Sequence, residues 1–581
     1  MVGLVGLATA PVAASATAPS FAPTVQLAGA AGHTEPRVVI APNGTRYVIT
    51  NDASTGEAVV YASTDGRSWR RTAAIPGQGS ATIDTDIAIA SSGRIVATEL
   101  DSAGLNFVTA YSDDGGASWQ QSTGATAADQ DRPWLAAGPG NRMYLLFHNL
   151  ASGAAQHEMF VSTSRDGGAS FDPPVPIAMP GEQAYLDLQC ADSGAPSALV
   201  VGRGGRIYAV YGTRTSAAGG CGASVTGTPE ANVVGETRVW VATSADGSVG
   251  SWTNHLAADA GDKTVSASFE PAAVDRSGEV YVAYAQTANP YPDFSGAAVK
   301  YVHSGPDAAK WSAPVVVAYP GIVGHYDPSI VAGDRGELAL AYYEGVSRTG
   351  QGPPAWYVHA ARVSGAAGPG MPRVATSEVS DIPAYAQSPN AMGGSCSSGP
   401  ASGLENGFAC DRASDDWGLA FDSQCFLTVA FPTVANDAPG AAAGTFVSTQ
   451  TGGSRVCGGG GGGGGSGPPT LQGRIKIAHI GGRAARLAAR WRRLGYVPLK
   501  AKVSRGVASG ARAFLYRRSS GGARRLLARS RGGVRLTVAP RTLRMRFVRG
   551  APRIAAGRYV SVVSARIAGT GVARTRSFRL R

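Results

Sequence analysis

From Leu471 to Arg581 the chain carries no aspartate and no glutamate, against 29 lysines and arginines. Of 581 residues 52 are basic and 40 acidic, so the part before Leu471 holds 23 basic side chains and all 40 acidic ones. The net charge of +12 therefore joins a region of −17 to a region of +29, an asymmetry that speaks to partners and not to fold. Cysteine is scarce: there are six, Cys190, Cys221, Cys396, Cys410, Cys425 and Cys457, and no Cys-x-x-Cys pair, which argues against a zinc site of the finger type. Long apolar runs are missing too. The apolar opening, MVGLVGLATAPVAASA, spans 16 residues, too short for a transmembrane helix. No segment before Gly458 has the apolar spacing of a long helix.

What the sequence has instead is a repeated turn. Ser63–Trp69 reads STDGRSW, Ser112–Trp119 reads SDDGGASW, Ser164–Phe171 reads SRDGGASF and Ser244–Trp252 reads SADGSVGSW. These are variants of Ser-x-Asp-x-Gly-x-x-aromatic. Asp and Gly accept turn geometries that other residues resist, and the closing aromatic can cap the hairpin against its own sheet. Asp65, Asp114, Asp166 and Asp246 therefore read as scaffold. The motif resembles the Asp-box, or BNR repeat, of sialidases and related β-propellers.

A second repeat runs beside it, an apolar strand, a Gly turn and a strand rich in Val and Tyr. It begins at Thr34, Asp84, Asp131, Ser197, Phe269, Tyr326 and Asp415. Seven such units, about 45 to 90 residues apart, are what a propeller requires, with insertions in the longer intervals. The fold expected is all-β: a sialidase-like β-propeller of six or seven blades, seven favoured, followed by a small immunoglobulin-like β-sandwich.

Composition divides the chain. Residues 1–16 read as a signal peptide ending near Ala14-Ser15-Ala16, although no basic residues precede the apolar run. Residues 24–456 read as the propeller, 457–470 as a linker containing eight consecutive glycines, and 471–581 as the basic sandwich. Arg alternates there with Val, Leu or Phe, giving one buried and one basic face. An even number of cysteines in loop-rich β sequence points to disulfides and an oxidising compartment. Cys190 with Cys221 would staple the fourth blade; Cys396, Cys410, Cys425 and Cys457 would tie the last. The protein is expected to be secreted, extracellular or attached to the cell envelope, without a transmembrane helix, and a monomer.

The resemblance implies a site on the propeller axis, where sialidases use three arginines to grip a carboxylate, a Tyr nucleophile activated by a Glu, and an Asp acid. By that analogy Tyr326 is the nucleophile, Glu270 its base and Asp52 the acid. The arginines do not match: Thr34 and Gln286 stand where two of them belong, and the corresponding positions of other units hold Asp131, Phe269 and Tyr326. The unit starts still form a funnel of His33, Glu35, Asp84, Asp86, Asp131, Arg132, Trp134, His325, Asp327, Asp415, Asp416 and Trp417. Trp134 and Trp417 would offer stacking faces to a sugar, and the carboxylates leave room for a structural Ca2+ ion. The competing reading makes these Asp residues clasps on neighbouring backbone N–H groups. No cofactor is expected.

The function expected first is a glycan- or protein-binding extracellular module, its ligand a carbohydrate or a cell-surface protein. An exo-glycosidase using the Tyr/Glu pair comes second, a ligand-free structural protein third. The basic region would attach to an anionic polymer, with no specific nucleic acid, since its aromatics are few and not interleaved with the arginines.

Overall fold

The computed structural model describes residues 17–31, 33–52, 55–77, 82–101, 106–124, 130–149, 158–189, 196–213, 216–217, 220–221, 236–261, 265, 270–287, 296–318, 325–346, 355–384, 417–433 and 444–457 of a first compact unit. Of a second it describes 475–477, 486–487, 489, 496–503, 508–518, 524–530, 534–536, 541–547, 557–567 and 570–580. The units divide between Gly462 and Gly463, within the glycine run. The proposed signal peptide, Cys190, Cys396, Cys410, Phe269, Asp415 and Asp416 lie outside the described residues, as do the side chains of Cys221, His33, Thr34 and Tyr326.

The first unit is a seven-bladed propeller. Each blade is an antiparallel sheet of at least four strands, and the innermost are His33–Ile40, Thr82–Ile89, Gln130–Ala137, Pro196–Val201, Ala272–Val274, His325–Ala332 and Gly418–Phe421. Each packs against the next, and the seventh against the first, so the ring is closed. Six blades are continuous in sequence. The seventh takes its outer edge from the other end of the chain: Ser20–Phe21 and Val25–Gln26 pair with Gly444–Gly452. The propeller thus begins at or before Thr17, whose N–H donates to Ser454 Oγ (2.9 Å), and not at residue 24 as composition implied.

Apolar alternation explains why the ring holds. A strand between two blades has both faces covered, and the apolar clusters fall one to each interface. Between blades one and two Tyr47, Ile49, Val60, Ile87 and Ala97 meet; between seven and one, Leu27, Val38, Val48, Tyr61 and Val447. Polar contacts reinforce that closing interface. Arg46 binds Asp422 (3.1 Å) and Thr428 Oγ1 (3.1 Å), and the Thr50 and Thr445 hydroxyls meet at 2.7 Å. Cys425 and Cys457 form a disulfide across the last blade, one of the ties foreseen there.

The Asp-boxes are rigid turns. In the second, Asp114 Oδ1 accepts Ser112 Oγ and the Ser118 N–H (both 2.9 Å), while Oδ2 accepts Ser118 Oγ (2.7 Å). The first and third repeat the pattern, and in the fourth Asp246 Oδ1 accepts the Ser248 N–H (3.0 Å) and hydroxyl (2.8 Å); Gly66, Gly115, Gly116, Gly167, Gly168 and Gly247 are at positive φ. A related turn, Ser304–Trp311, lies outside the motif because Pro306 stands at the Asp position and Ala308 takes the positive φ (53°) that glycine takes elsewhere. These hydrogen bonds hold Asp114 at about 2, against 3.8 for a free carboxyl, the Ser118 hydroxyl contributing most. The sign follows. A carboxyl depressed in the folded state stabilises fully above pH 3.8 and loses that contribution as pH falls through about 2. Thermal melts from pH 5 to pH 2 are expected to show a smaller acid-induced fall in Tm for Asp114→Asn than for the parent; parallel curves would contradict this.

The second unit is one antiparallel sheet of eight strands, Ile475–Ile477, Val497–Val503, Ala508–Arg518, Arg524–Ser530, Val534–Leu536, Arg541–Phe547, Gly557–Ile567 and Thr570–Leu580. Alternation is visible in Arg544, Met545 and Arg546, exposed, buried and exposed. Leu499, Leu515, Ala528 and Tyr559 are buried. Seven strands pair along one path and Val534–Leu536 joins Ala508–Arg518 off it, all within one connected sheet, so the immunoglobulin-like sandwich stays a reading of the sequence.

Candidate functional site

The inner strands begin at one end of the ring, and there the backbone is strained. Glu35, Arg132 and Asp327, each preceding a proline, have φ of 50°, 57° and 48°. Each sits in a bulge, where the register with the second strand shifts between Thr34 and Arg37, Asp131 and Trp134, and Tyr326 and Ser329. Left-handed backbone outside glycine costs about 1–3 kcal/mol per residue and persists where surroundings over-determine it. The bulge opposes each strand start to the end of its partner strand: His33 to Asp52, Asp131 to His148 and His325 to Glu344.

Blades one to three share a charged network. Asp86 is buried; Oδ1 accepts Arg37 Nε (3.2 Å) and the Ile87 N–H (2.8 Å), and Oδ2 accepts the Leu135 N–H (2.7 Å) of the next blade. Burial pushes its pKa up, partly offset by Arg37 and the backbone donors. Asp131 lies between His148 Nε2 (3.2 Å) and Arg132 Nε (3.6 Å) and accepts the Arg132 N–H (2.9 Å). Burial alone would raise its pKa. His148, Arg132 and a hydrogen bond from Asp84 outweigh that and hold it well below the usual carboxylate range. A hydrogen bond between two carboxyls needs a proton on one of them.

Blades four and five contribute a second carboxyl pair. Glu270 is fully buried, accepts Ser197 Oγ (2.5 Å), and its pKa is raised by burial despite hydrogen bonds from Glu236 and Ser197. Gly212 makes room for Glu236: a Cβ there would overlap the carboxylate. On blade six Glu344, about one-third exposed, lies 3.1 Å from His359 Nδ1 and 3.6 Å from His325 Nε2. Burial opposes ionisation of Glu344, and the two imidazoles overcome it and lower the pKa. Tyr342 packs against both histidines, its ring centroid 5.4 Å from His325 and 6.4 Å from His359.

The tryptophans do not do what the sequence implied. Trp134 and Trp417 are each 2% exposed. The Trp134 indole N–H donates to the Pro196 carbonyl of blade four (2.6 Å), and Arg37 covers its face at 4.9 Å. Trp417 donates to the Asp327 carbonyl (2.9 Å) and packs against Tyr343. Both wedge blades together, leaving no face for a sugar. Asp86 is an inter-blade clasp as well. Asp131 and Arg132 meet in one cluster, His325 joins another, and Glu270 forms a third with Ser197 and Glu236. Asp52 is buried at the end of its strand, its carbonyl accepting the Gly56 N–H (2.7 Å). Glu35 and Asp327 are buried at the bulges. Among the described residues no group of three or more His, Cys, Asp or Glu side chains is arranged to hold a metal.

Arg37, His148, Glu236 and His359 were not foreseen. A signal existed for His148: it ends a second strand and so faces the start of the first, by antiparallel register alone.

Residues 38–295 match the family model of the BNR repeat-like domain. No curated protein matches the sequence. Among solved structures, a PL25 ulvan lyase bound to -[GlcA(1-4)Rha3S]- is 12% identical, with 62% of this chain and 96% of that one covered and a TM-score of 0.42. An α-L-arabinanase of Penicillium chrysogenum complexed with arabinobiose is 12% identical over 74% of this chain and 98% of its own (TM-score 0.38). An E242A mutant of an α-L-arabinofuranosidase of Fusarium graminearum is 13% identical over 59% and 98% (TM-score 0.37). With its Asp-box turns and its closed ring of seven blades, the first unit is a seven-bladed β-propeller, and over residues 38–295 it is similar to the BNR repeat-like domain, as a sialidase-like propeller would be.

Proposed function

We propose that the propeller binds carbohydrate at the end of the ring where the inner strands begin, as part of an exported protein whose basic second unit attaches it to an anionic polymer of the cell envelope. The observation that carries this reading is the pair of part-exposed carboxylates, Asp131 and Glu344, each held by buried or half-buried histidine. Ionised carboxylates fixed by imidazole are pre-oriented acceptors for sugar hydroxyls, and charge-assisted hydrogen bonds are the stronger kind. Arg37, with its side chain 28% exposed, adds a donor beside Asp86. The BNR-type repeats and the seven-bladed fold are consistent with this.

A glycan array with the full chain, followed by calorimetry on the glycan retained, tests it. Asp131→Asn and Glu344→Gln are each expected to weaken binding about tenfold, or about 1.4 kcal/mol. An empty array, or affinity unmoved by both substitutions, would sink the proposal.

An exo-glycosidase is the second reading, favoured by the Glu236–Glu270 pair, where burial raises the Glu270 pKa in the direction a general acid requires. Hydrolysis of a fluorogenic α-sialoside, lost in both Glu270→Gln and Tyr326→Phe, would support it; no turnover by the parent protein would remove it.

A further inference from the structure

At the other end of the strands, where the inner strands turn into the second ones, lies a cleft of about 340 Å3 between blades four and five. Two turns of the same construction frame it. In blade four the Gly202 N–H donates to the Arg206 carbonyl (2.8 Å) and the Gly205 N–H to the Gly202 carbonyl (2.8 Å). In blade five Asp275 bonds Glu279 (2.9 Å) and Gly278 bonds Asp275 (3.0 Å) in the same way. Arg203 and Arg276 therefore hold equivalent positions in neighbouring turns, and Arg206 lines the same cleft. Tyr208 lies in the lining, its hydroxyl committed to the Pro306 carbonyl (2.6 Å).

The three arginines differ in their commitments. Arg276 is paired with Asp334 (2.6 Å). Arg203 is exposed and Arg206 half-buried, and neither has a carboxylate within salt-bridge distance among the described residues. Asp307 and Arg206 both act on the Tyr208 hydroxyl. The Arg203 and Arg206 guanidinium groups thus remain available. Arg is the residue suited to carboxylate and sulfate oxygens, because its planar fork donates two parallel hydrogen bonds. Gly204, between the arginines, has open space where a side chain would stand, so an oxygen can approach the turn. The volume suits a single sugar ring.

We propose that this cleft is an anion-binding site that takes a sugar-sized carboxylate or sulfate ester through Arg203 and Arg206, with Arg276 as the third wall. It is separate from the inner-strand end and does not depend on the binding proposed there. Nothing covalent happens in it. Affinity falls as salt rises, since the charges are near the surface.

Phenylglyoxal labelling of the full chain, read by peptide mass spectrometry, reports each arginine separately and so distinguishes the cleft from the basic second unit. Glucuronate and glucose 6-sulfate are the anionic probes and glucose is the neutral one. Labelling of Arg203 and Arg206 is expected to slow about tenfold at a probe concentration of about ten times Kd, with either or both anions, and the anion that protects identifies the group recognised. Glucose is expected to leave the rate unchanged, and Arg203→Ser/Arg206→Ser is expected to abolish protection of Arg276. Asp131→Asn is expected to leave protection intact, so failure of the glycan proposal is read independently. No protection by either anion, equal protection by glucose, or full protection of Arg276 in the double variant would overturn the assignment.

Discussion

Replacing Glu337 by glutamine is expected to cost the propeller about 3–5 kcal/mol, the range for a buried ion pair that loses one partner. Arg362 is 1% exposed, among the largest fully buried side chains of the molecule. Its Nη2 donates to Glu337 Oε2, Nη1 to the Leu338 carbonyl (2.7 Å) and to the Val363 carbonyl, and Nε to the Arg455 carbonyl (2.9 Å). Burial depresses the arginine pKa, and Glu337 opposes that shift. Without the carboxylate the guanidinium keeps its charge with three backbone carbonyls and only the weaker pull of Asp334 around it. The pair also fastens blade six to the last residues of the propeller, since Arg455 precedes the bridged Cys457 and the Asp334 N–H donates to the Val456 carbonyl (2.9 Å). The double variant Glu337→Leu/Arg362→Met is expected to recover most of the loss, because well-packed apolar substitutes remove both desolvation penalties together. Urea midpoints of the parent, single and double variants decide it. A single variant as stable as the parent would mean that the pair is solvated in solution.

The second large effect is expected from the N-terminal edge. Deleting residues 1–30 removes both strands that cover the outer edge of Gly444–Gly452, the hydrogen bonds from the Ala22 N–H to Thr449 (2.9 Å) and from the Leu27 N–H to Thr445 (3.0 Å), and the buried Leu27 and Ala30. What is left is a strand with an open edge in a ring that closes only through that blade, an arrangement prone to pairing with other chains. The truncated chain is expected to aggregate, or to melt without cooperativity. Leu27→Ala is the milder version: Leu27 is 1% exposed within the cluster joining blades seven and one, and such a truncation costs about 2–5 kcal/mol. The disulfide holds the same blade from its other side. Its sequence separation of 32 residues corresponds to about 3–4 kcal/mol of loop-closure stabilisation, so reduction and Leu27→Ala together are expected to lower Tm more than either alone. Calorimetry with and without reductant measures both; a truncated chain melting like the parent would show that the ring does not need this strand.

The blades and their turns were legible in the sequence because what makes them is local. Alternation of apolar residues, a Gly turn after each inner strand, and Ser, Asp and Gly at fixed offsets all act within about ten residues, and antiparallel pairing of neighbours follows from short connections. The charge division between the units was legible for the same reason, since it needs only counting. Even there the turn at Ser304–Trp311 shows the limit. Ala308 holds the left-handed conformation that the motif reserves for glycine, and packing permits it where pattern does not.

What only the tertiary structure decided are contacts between residues distant in sequence. Trp134 looks like a sugar platform until blade four brings the Pro196 carbonyl to its N–H and blade one lays Arg37 over its face. Glu236 and Glu270 become a pair, Arg203 and Arg276 share a cleft, and Ser20–Phe21 completes the last blade only because the ring closes. The physical reason is the same in each case: a strand pattern specifies which face of a blade is apolar, whereas the identity of the neighbour across that face is set by how many blades the ring contains and by which segment closes it.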